Sequence, residues 1–421
     1  MAQPGPSPPI AGDSVSKFRF LKDMAHYLVW IVVLGVRHRR FIVFIRADKI
    51  GHLALNTSIL LDEMATIRDL LSIPRDRKIL LVPDSYVCNL YLWDLLKTSV
   101  NDDPRTAFLP SPRYMRSIGG NREERAWNQR AALYMLLDRF RFLRHLANES
   151  ERTIISTSSL WTKGRAPTAL LFGSTKSPDV LALLGLSQTK PLVVVIDRDS
   201  AYFAETDMNP RDTSIVELAN LITILLSREY QVVRLGSVRK QRVPITSEYF
   251  LDYPFYERQS DVLDIEILRR TCFVVGWNTG LTLVPYVMGV PTCYVHPGTD
   301  APIPNMFNSY LNYREKIAGT VISAWEMPLL YGTTACEDIG ADNLSQYEKV
   351  PVTTRQWQEL VRTIEVWVEM REQTPQSLAV MGRIQTAVRN ANVDLDSPTP
   401  AMWSALDNSW GCYFHEISAS H

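Results

Sequence analysis

The segment GWNTGLT (276–282) brings together residue types that can bind a phosphate group. Its two glycines allow a ligand close to the backbone, and Asn278, Thr279 and Thr282 offer side-chain hydrogen bonds. A predicted helix starts here, and its free N–H groups and dipole favour an anion. The segment therefore predicts a pyrophosphate site, with an ordinary helix cap on structural glycines as the alternative. It is neither a P-loop nor a GxGxxG motif, which argues against nucleotide hydrolysis and dinucleotide redox chemistry.

Two further loops carry arginines directly after predicted strands. In DRDSAYF, Arg198 could pair with a phosphate through two hydrogen bonds. Three residues after it could orient a sugar or a base: Asp199, Ser200 and Tyr202. The alternative is a surface turn in which Arg198 pairs with a neighbouring aspartate. In RLGSVRK, which begins at Arg234, Gly236 ends a strand among three cations, a pattern that a solvated basic loop shares.

The segment RADKIGHLALN (46–56) supplies candidate acid–base groups at the start of another predicted helix. Asp48 or His52 could accept the proton of a substrate hydroxyl, and Lys49 and Gly51 lie between them. A histidine that makes only structural hydrogen bonds is the alternative. No GxSxG, HExxH or paired Cys–His pattern accompanies these residues, which argues against hydrolase and metalloenzyme chemistry.

Apolar runs that alternate with amphipathic stretches predict the elements that hold these loops. Buried strands are predicted at 40–46, 78–84, 191–197, 231–236, 272–276 and 291–296. Helices are predicted at 53–71, 123–146, 213–229, 261–270 and 281–288, with two more between 354 and 392. Strands separated by helices of this length predict parallel sheets, which bind ligands outside the carboxyl ends of their strands.

The composition narrows the classes of function. The 421 residues include 45 Lys or Arg and 45 Asp or Glu, so a grip on nucleic acid along the chain is not expected. Five widely spaced cysteines fit neither a disulfide framework nor a zinc site. They indicate a reducing, cytoplasmic compartment.

The N-terminal region combines an apolar run with basic flanks. The run YLVWIVVLGV (27–36) is about half the roughly 20 residues that a bilayer-spanning helix needs. Residues 1–50 contain eight Lys or Arg but only three Asp. This pattern predicts peripheral contact with the inner face of an anionic plasma membrane. A buried helix that packs on the first strand is the alternative.

Together these segments resemble bacterial glycosyltransferases of the GT-B architecture, in particular heptosyltransferase-like enzymes and glycosyltransferases encoded with surface-polysaccharide genes. The resemblance covers about residues 40–300 and rests on the order of RADKIGHLALN, VIDRDSAYF, YQVVRLG, SDVLDIEIL and GWNTG. Heptosyltransferases tend to have an Asp–Ser–Gly type sequence at the last segment, so their donor does not carry over. The chain shows no hallmark glutamate of the GT-B donor site, which leaves retaining and inverting chemistry both open.

The resemblance implies an α/β fold of the GT-B type, with two Rossmann-like domains whose parallel sheets face each other across a cleft. A leader and an apolar, basic helix would occupy 1–39, and an acceptor domain 40–165. A linker at 166–189 would lead to the donor domain at 190–353, followed by C-terminal helices and a tail at 354–421.

The resemblance also implies a donor, an acceptor and a set of site residues. A nucleotide-sugar would transfer its sugar to a hydroxyl of a glycan or a lipid-linked molecule, without a bound metal or other cofactor. The donor would be bound by Arg198, Asp199, Ser200, Tyr202, Arg234, Gly236, Asp261, Asn278, Thr279, Gly280, Leu281 and Thr282. His52 or Asp48 would be the catalytic base, and the acceptor would contact Lys49, Gly51 and Asn56.

Two other functions fit the same residues. A nucleotide-sugar 2-epimerase shares the architecture and needs no acceptor, so turnover of the donor alone would identify it. A non-catalytic protein that binds a nucleotide within a polysaccharide assembly complex is the third hypothesis. The residues favour no particular sugar, nucleotide or oligomeric state.

Overall fold

The computed structural model divides the chain into two compact units. The first comprises Met1–Leu53 and Thr66–Glu151, and the second comprises Ala54–Ala65 and Arg152–His421. The structure describes residues 41–70, 72–73, 78–99, 106–108, 145–146, 179–198, 212–236, 239–296, 306–310, 312–323, 346–373 and 415–416, together with residues 25, 29, 33 and 154. The predicted linker at 166–189 lies largely outside these ranges, so the predicted domain bounds remain predictions.

The first unit contains a four-stranded parallel sheet in the order β3-β2-β1-β4. Its strands are β1 (Phe41–Ile45), β2 (Ile79–Pro83), β3 (Thr106–Phe108) and β4 (His145–Leu146). β1 and β2 pair along five residues each, and every side chain of both strands is buried. Such continuous apolar runs are typical of strands covered on both faces.

The helices that follow β1 and β2 in the chain are short. The predicted helix 53–71 is interrupted: a π-helical turn at His52–Asn56 leads into α1 (Thr57–Asp62), and α2 (Met64–Leu70) follows after Glu63. The next helix is α3 (Leu90–Ser99), where the side chain of Asn89 accepts a hydrogen bond of 2.8 Å from the N–H of Leu92. That bond satisfies one of the N–H groups that a helix start leaves without a partner.

The second unit contains a seven-stranded parallel sheet in the order β14-β10-β9-β8-β5-β6-β7. Its strands are β5 (Leu192–Ile196), β6 (Gln231–Arg234), β7 (Phe250–Asp252), β8 (Phe273–Trp277), β9 (Thr292–His296), β10 (Phe307–Tyr310) and β14 (His415–Glu416). The chain builds β6 and β7 outward on one side of β5, then returns to place β8 on its other side. The direction of winding therefore reverses between β5 and β8.

The helices of the second unit begin at serine caps. Ser214 accepts from the N–H of Val216 at the start of α5 (Ile215–Ser227), and Ser260 accepts from Leu263 at the start of α6 (Asp261–Arg270). Short helices precede and follow these two: α4 (Val180–Leu183) and α7 (Leu283–Val287). Each serine satisfies an N–H group that the helix itself cannot.

The long helix α8 (Thr354–Gln373) closes the core of the second unit by packing on α5. Its Trp357 is fully buried, and its ring centroid lies 5.9 Å from that of Trp277 at the end of β8. Glu365 accepts hydrogen bonds from Arg228 and Tyr230 just beyond the other end of α5. Burial and the Glu365 charge raise the pKa of Tyr230 to about 12.

A small antiparallel sheet also belongs to the second unit, in the order β12-β11-β13. Its strands are β11 (Asn312–Glu315), β12 (Val321–Ser323) and β13 (Tyr347–Lys349). The sequence analysis predicts none of the three. They are only three or four residues long, so they lack the apolar runs that mark buried strands.

The strand pairings confirm the predicted α/β class with two parallel sheets. The strands predicted at 40–46, 78–84, 191–197, 231–236, 272–276 and 291–296 are all present with slightly shifted bounds. The helix predicted at 123–146 is wrong at its end, because His145 and Leu146 form a strand beside β1, and its other residues lie outside the described ranges. In the described part of the chain, no helix combines the length and apolarity needed to cross a membrane.

Candidate functional site

The reversal of winding between β5 and β8 selects one edge of the large sheet as the candidate site. Loops that leave two neighbouring strands in opposite directions open a crevice outside their carboxyl ends, where ligands of such sheets bind. Ile196 and Gly276 are paired partners near the ends of these strands. Arg198 and Asn278 each follow two residues later, so the backbone brings two of the predicted donor-binding residues to the same point of this edge.

The loop after β8 is shaped by a close approach between Gly276 and Thr282. A Cβ at residue 276 would lie 2.4–2.5 Å from Thr282 side-chain atoms, a distance that real Cβ contacts do not show. The Thr282 hydroxyl donates to the carbonyl of Trp277 (2.7 Å) and is fully buried. The prediction that Thr282 binds the donor is therefore wrong: its side chain folds the loop, and Gly276 is required by that fold.

The other residues of this loop remain accessible. Asn278, Thr279 and Leu281 are half-buried, and Gly280 is exposed. A helical turn at Gly280–Thr282 runs into α7, and the first N–H groups of such a turn have no acceptor within the helix. The loop therefore offers an amide side chain and backbone N–H groups to a ligand, whereas the Thr279 hydroxyl lies 3.2 Å from the Thr282 hydroxyl and bonds to it.

Arg198 lies directly beyond β5 but is only 9% exposed. Its Nε is 3.6 Å from a carboxylate oxygen of Asp212, and its carbonyl accepts a hydrogen bond from the N–H of Thr213 (2.8 Å). The alternative prediction for Arg198 is a pair with a neighbouring aspartate in a surface turn. The observed pair with Asp212 is largely buried instead. Three other predicted donor-binding residues lie outside the described part of the chain: Asp199, Ser200 and Tyr202.

Arg234, the last residue of β6, forms a buried ion network with the ends of its two neighbouring strands. Its guanidinium makes two hydrogen bonds to Asp197 (3.0 and 2.7 Å) and one of 3.2 Å to Asp252, and its side chain is 1% exposed. Arg239 adds a further bond of 3.0 Å to Asp197. The prediction that Arg234 neutralises phosphate is therefore wrong, because its guanidinium is buried against two carboxylates.

The balance between burial and the arginine charges leaves the pKa values of the two acids in this network shifted in opposite directions. Burial alone would raise the pKa of Asp197, but the hydrogen bonds and charges of Arg234 and Arg239 outweigh it and hold that pKa below the ordinary 3.8. For Asp252, burial prevails and raises the pKa above its ordinary value. Asp197 therefore stabilises the fold above about pH 4, a contribution that is lost as the pH falls through its lowered pKa.

Gly236 belongs to the same network rather than to the predicted phosphate site. A Cβ at this position would lie 2.5–2.8 Å from the Arg239 guanidinium, which also donates to the Asp197 carbonyl. A side chain at 236 would therefore push Arg239 away from Asp197. The predicted contact between Gly236 and the donor stays a prediction, and the space above the Gly236 backbone is filled by the Arg239 guanidinium.

Asp261 opens α6 at the same edge of the sheet and is half-buried, so its predicted contact with a sugar stays a prediction. Burial and the nearby Asp261 charge raise the pKa of Asp264 to about 6 despite an opposing hydrogen bond with Tyr253. A cavity of about 230 Å³ adjoins this helix start. It is lined by Leu183, Tyr256, Arg258, Ser260, Val262 and Leu263.

In the first unit, the winding reverses between β1 and β4, and the loop after β1 carries the predicted catalytic residues. Asp48 is 4% exposed, and its carboxylate is 3.4 Å from the Nε of Arg46. Asp84, which follows β2, accepts from the N–H of Ala47 (3.4 Å) and fixes the loop. The Asp48 carboxylate is enclosed and lies beside Arg46, and its role as the base stays a prediction.

His52 is the accessible member of the predicted catalytic pair. It is half-buried and opens the π-helical turn, a distortion that is frequent at functional sites. Among the predicted acceptor residues, Lys49 and Asn56 are half-buried and Gly51 is buried. Asn56 falls in the second unit, whereas Lys49, Gly51 and His52 fall in the first.

Sequence reasoning missed the acids that organise these edges: Asp84, Asp197 and Asp252. Each lies at or just after the end of a strand, as in the sequences VPD, VID and FLD. A single aspartate that ends an apolar run is a usable signal, because strand ends that meet at one edge bring such residues together. In the described part of the chain, no three His, Cys, Asp or Glu side chains group as metal ligands would.

Neither a family model nor a curated protein matches this sequence. The solved structures that resemble it are glycosyltransferases. Escherichia coli ADP-heptose LPS heptosyltransferase II shares 14% identity over 63% of this chain and 88% of its own, with a TM-score of 0.35. E. coli heptosyltransferase WaaC with ADP shares 12% identity over 63% and 90%, with a TM-score of 0.37. A family 9 glycosyltransferase from Veillonella parvula shares 10% over 63% and 82%, with a TM-score of 0.35.

These structures belong to the same family that the sequence segments resemble. At these identities and TM-scores the likeness is too distant to carry an argument about donor, acceptor or site residues. The functional argument therefore depends on the described residues themselves.

We expect Arg234→Met to lower the free energy of unfolding by about 3–5 kcal/mol, because it leaves two buried carboxylates without their cation. Chemical denaturation at pH 7 measures the change. Arg242→Met is the matched control, since Arg242 is an exposed arginine whose guanidinium lies over the Phe255 ring, and it should change the free energy by less than about 1 kcal/mol. Equal, small effects of both variants would contradict a structural network.

Proposed function

We propose that this chain is a glycosyltransferase that binds the diphosphate of a nucleotide-sugar at the carboxyl ends of β5 and β8. The observation that carries the proposal is the register that places the loops after these strands side by side at a reversal of winding. Asn278, Thr279 and the N–H groups of the following turn would bind the diphosphate, and Arg198 would supply positive charge.

The groups described at this edge favour an anionic ligand, and they could do so without a bound metal cation. Arg198 and the turn at Gly280–Thr282 follow two paired strands, and a guanidinium and a helix start would both stabilise the negative charge that develops on a departing diphosphate. We therefore propose that transfer requires no bound metal or other cofactor. Asp261 and the cavity beside it would accommodate the sugar or the nucleoside.

We further propose that His52 is the base that takes the proton of the acceptor hydroxyl, with Lys49 and Asn56 as acceptor contacts. His52 is more accessible than Asp48 and follows β1 at the corresponding edge of the first sheet. The acceptor would be a glycan or a lipid-linked molecule of a surface polysaccharide or glycoconjugate pathway. The reaction would take place in the cytoplasm.

We also propose that the N-terminal region contacts an anionic membrane surface. Val29 and Val33 are helical, four residues apart and therefore on one face, and they are 59% and 42% exposed. Eight Lys or Arg within residues 1–50 complement anionic lipid headgroups, whereas the whole chain is neutral. An exposed apolar face with basic flanks is typical of a helix that lies on such a surface.

We expect Asn278→Ala to weaken the binding of a nucleoside diphosphate about tenfold, the effect of losing one good hydrogen bond. Calorimetric titration of the wild type with ADP, GDP and UDP identifies the nucleotide, and the variant is then compared with Gln358→Ala. Gln358 is an exposed amide on α8, so its loss should leave the affinity unchanged. Unchanged affinity in Asn278→Ala would contradict the proposed donor site.

We expect His52→Ala to slow sugar transfer by about 10²–10⁴-fold while donor affinity stays intact, because general base catalysis contributes about that much. Release of nucleoside diphosphate is measured with the donor that binds and a membrane extract as the source of acceptor. His421→Ala, at the last residue, is the control. Full turnover by His52→Ala would exclude His52 as the base, and conversion of the donor without acceptor would indicate an epimerase.

We expect the wild type to float with vesicles that contain phosphatidylglycerol but not with vesicles of phosphatidylcholine alone. The double variant Val29→Asp, Val33→Asp should lose flotation, because carboxylates on this face oppose both the apolar and the electrostatic attraction. Val366→Asp is the matched control, since Val366 is 48% exposed on α8. Flotation that survives the double variant would show that this face does not contact the lipid.

A further inference from the structure

Lys349 belongs to the small antiparallel sheet. Its side chain contacts Asp212, which lies beside Arg198 at the candidate donor edge. Lys349 is the last residue of β13, and its ammonium donates a hydrogen bond of 2.5 Å to the carbonyl oxygen of Asp212. Asp212 lies two residues before the Ser214 cap of α5. The sequence offers no motif around Lys349, and the proposed function assigns it no role.

The surroundings of Lys349 do not favour its charge. Burial lowers the pKa of its ammonium below the ordinary 10.5, although the nearby carboxylates of Glu217 and Asp212 act in the opposite direction. Arg198 adds a second cation to the same cluster through its contact with Asp212. The Asp212 carbonyl, which accepts the hydrogen bond of Lys349, is the contact that fixes where this ammonium lies.

A continuous chain of contacts leads from Lys349 to the end of β5. Lys349 holds the carbonyl of Asp212, and a carboxylate oxygen of Asp212 lies 3.6 Å from the Nε of Arg198. The next residue, Thr213, donates its N–H to the carbonyl of Arg198 (2.8 Å). The two ends of the segment 199–211 are thus fastened to each other, and Lys349 is attached at the junction.

The other side of Lys349 is attached to fixed structure. β13 pairs with β11 from Tyr347 to Lys349, and beyond it the N–H of Val352 donates to the buried carboxylate of Glu217 on α5 (3.1 Å). Val352 itself packs in the core of the second unit. The backbone of Lys349 is therefore held from both directions, so its side chain can impose a position on Asp212.

We propose that Lys349 is a positioning residue that, by fixing Asp212, holds Arg198 at the carboxyl end of β5 for binding of a diphosphate. This inference rests on the proposed donor site, and it adds a residue from the antiparallel sheet to it. Lys349 does not touch the diphosphate; it limits the movement of the guanidinium that does. A site whose charged group is already in place loses less conformational entropy on binding.

The test compares Lys349→Met, Lys349→Arg and the control Glu348→Gln. Glu348 is the exposed neighbour of Lys349 on the same strand, so its substitution leaves the cluster unchanged. Hydrogen exchange at the N–H of Thr213 reports on the junction without any ligand. Titrations with sodium pyrophosphate and with ADP, GDP and UDP report on the donor site. Melting temperatures show whether each variant folds. If Lys349→Met does not fold, Lys349→Gln takes its place.

We expect Lys349→Met to accelerate exchange at Thr213 at least about tenfold and to weaken pyrophosphate and nucleoside diphosphate binding about five- to thirtyfold. Lys349→Arg keeps a cationic donor and should restore most of both, and Glu348→Gln should match the wild type. Recovery by arginine separates a positioning role from loss of packing alone.

Unchanged exchange at Thr213 in Lys349→Met would overturn the inference, whatever the ligand data show. Faster exchange with unchanged diphosphate affinity would also overturn it, because the junction would then not position Arg198. If the wild type binds none of the probes, the donor site itself is wrong and the positioning role falls with it, a result distinct from the other two.

Discussion

The adjacency of β5 and β8 is the constraint on which the candidate donor site depends. All neighbouring strands of the large sheet are parallel, so every carboxyl end lies at one edge, and the strand order reverses its direction between β5 and β8. The pairing of Ile196 with Gly276 fixes the relative height of those loops. A shift of one residue in this register would move the loops past each other and reverse the faces of the strand side chains.

The same edge is held together by charge. Arg234 and Arg239 bind Asp197, and Arg234 also reaches Asp252, so the ends of three strands meet in one enclosed network. A buried ion network contributes little to stability compared with an apolar core, because each ion loses its water. Its directional bonds do fix geometry, and Asp197 immediately precedes Arg198. We therefore infer that this network fixes the position of the backbone from which Arg198 enters the candidate donor site.

The fold could be predicted largely from the sequence, because runs such as FIVFI and LVVVI are apolar enough to mark strands covered on both faces. Short strands escaped prediction: Phe250–Asp252 has three half-buried residues, and His145–Leu146 ends a stretch with helical periodicity. A strand of two or three residues is too short to show a period. Its existence depends on a neighbouring strand that is far away in the sequence.

The site was harder to predict than the fold because a residue type does not reveal its partners. Arg198 and Arg234 each follow or end an apolar run, and local sequence treats them alike. What separates them is where the carboxylates lie: Arg234 binds Asp197 and Asp252 at neighbouring strand ends, whereas Asp212, 3.6 Å from the Nε of Arg198, precedes α5. A guanidinium held by two carboxylates at hydrogen-bond distance gains little from exchanging one of them for a phosphate. In the proposed donor site, Arg198 is therefore the arginine that would engage a diphosphate, and the firmness with which Asp212 is held would set its position.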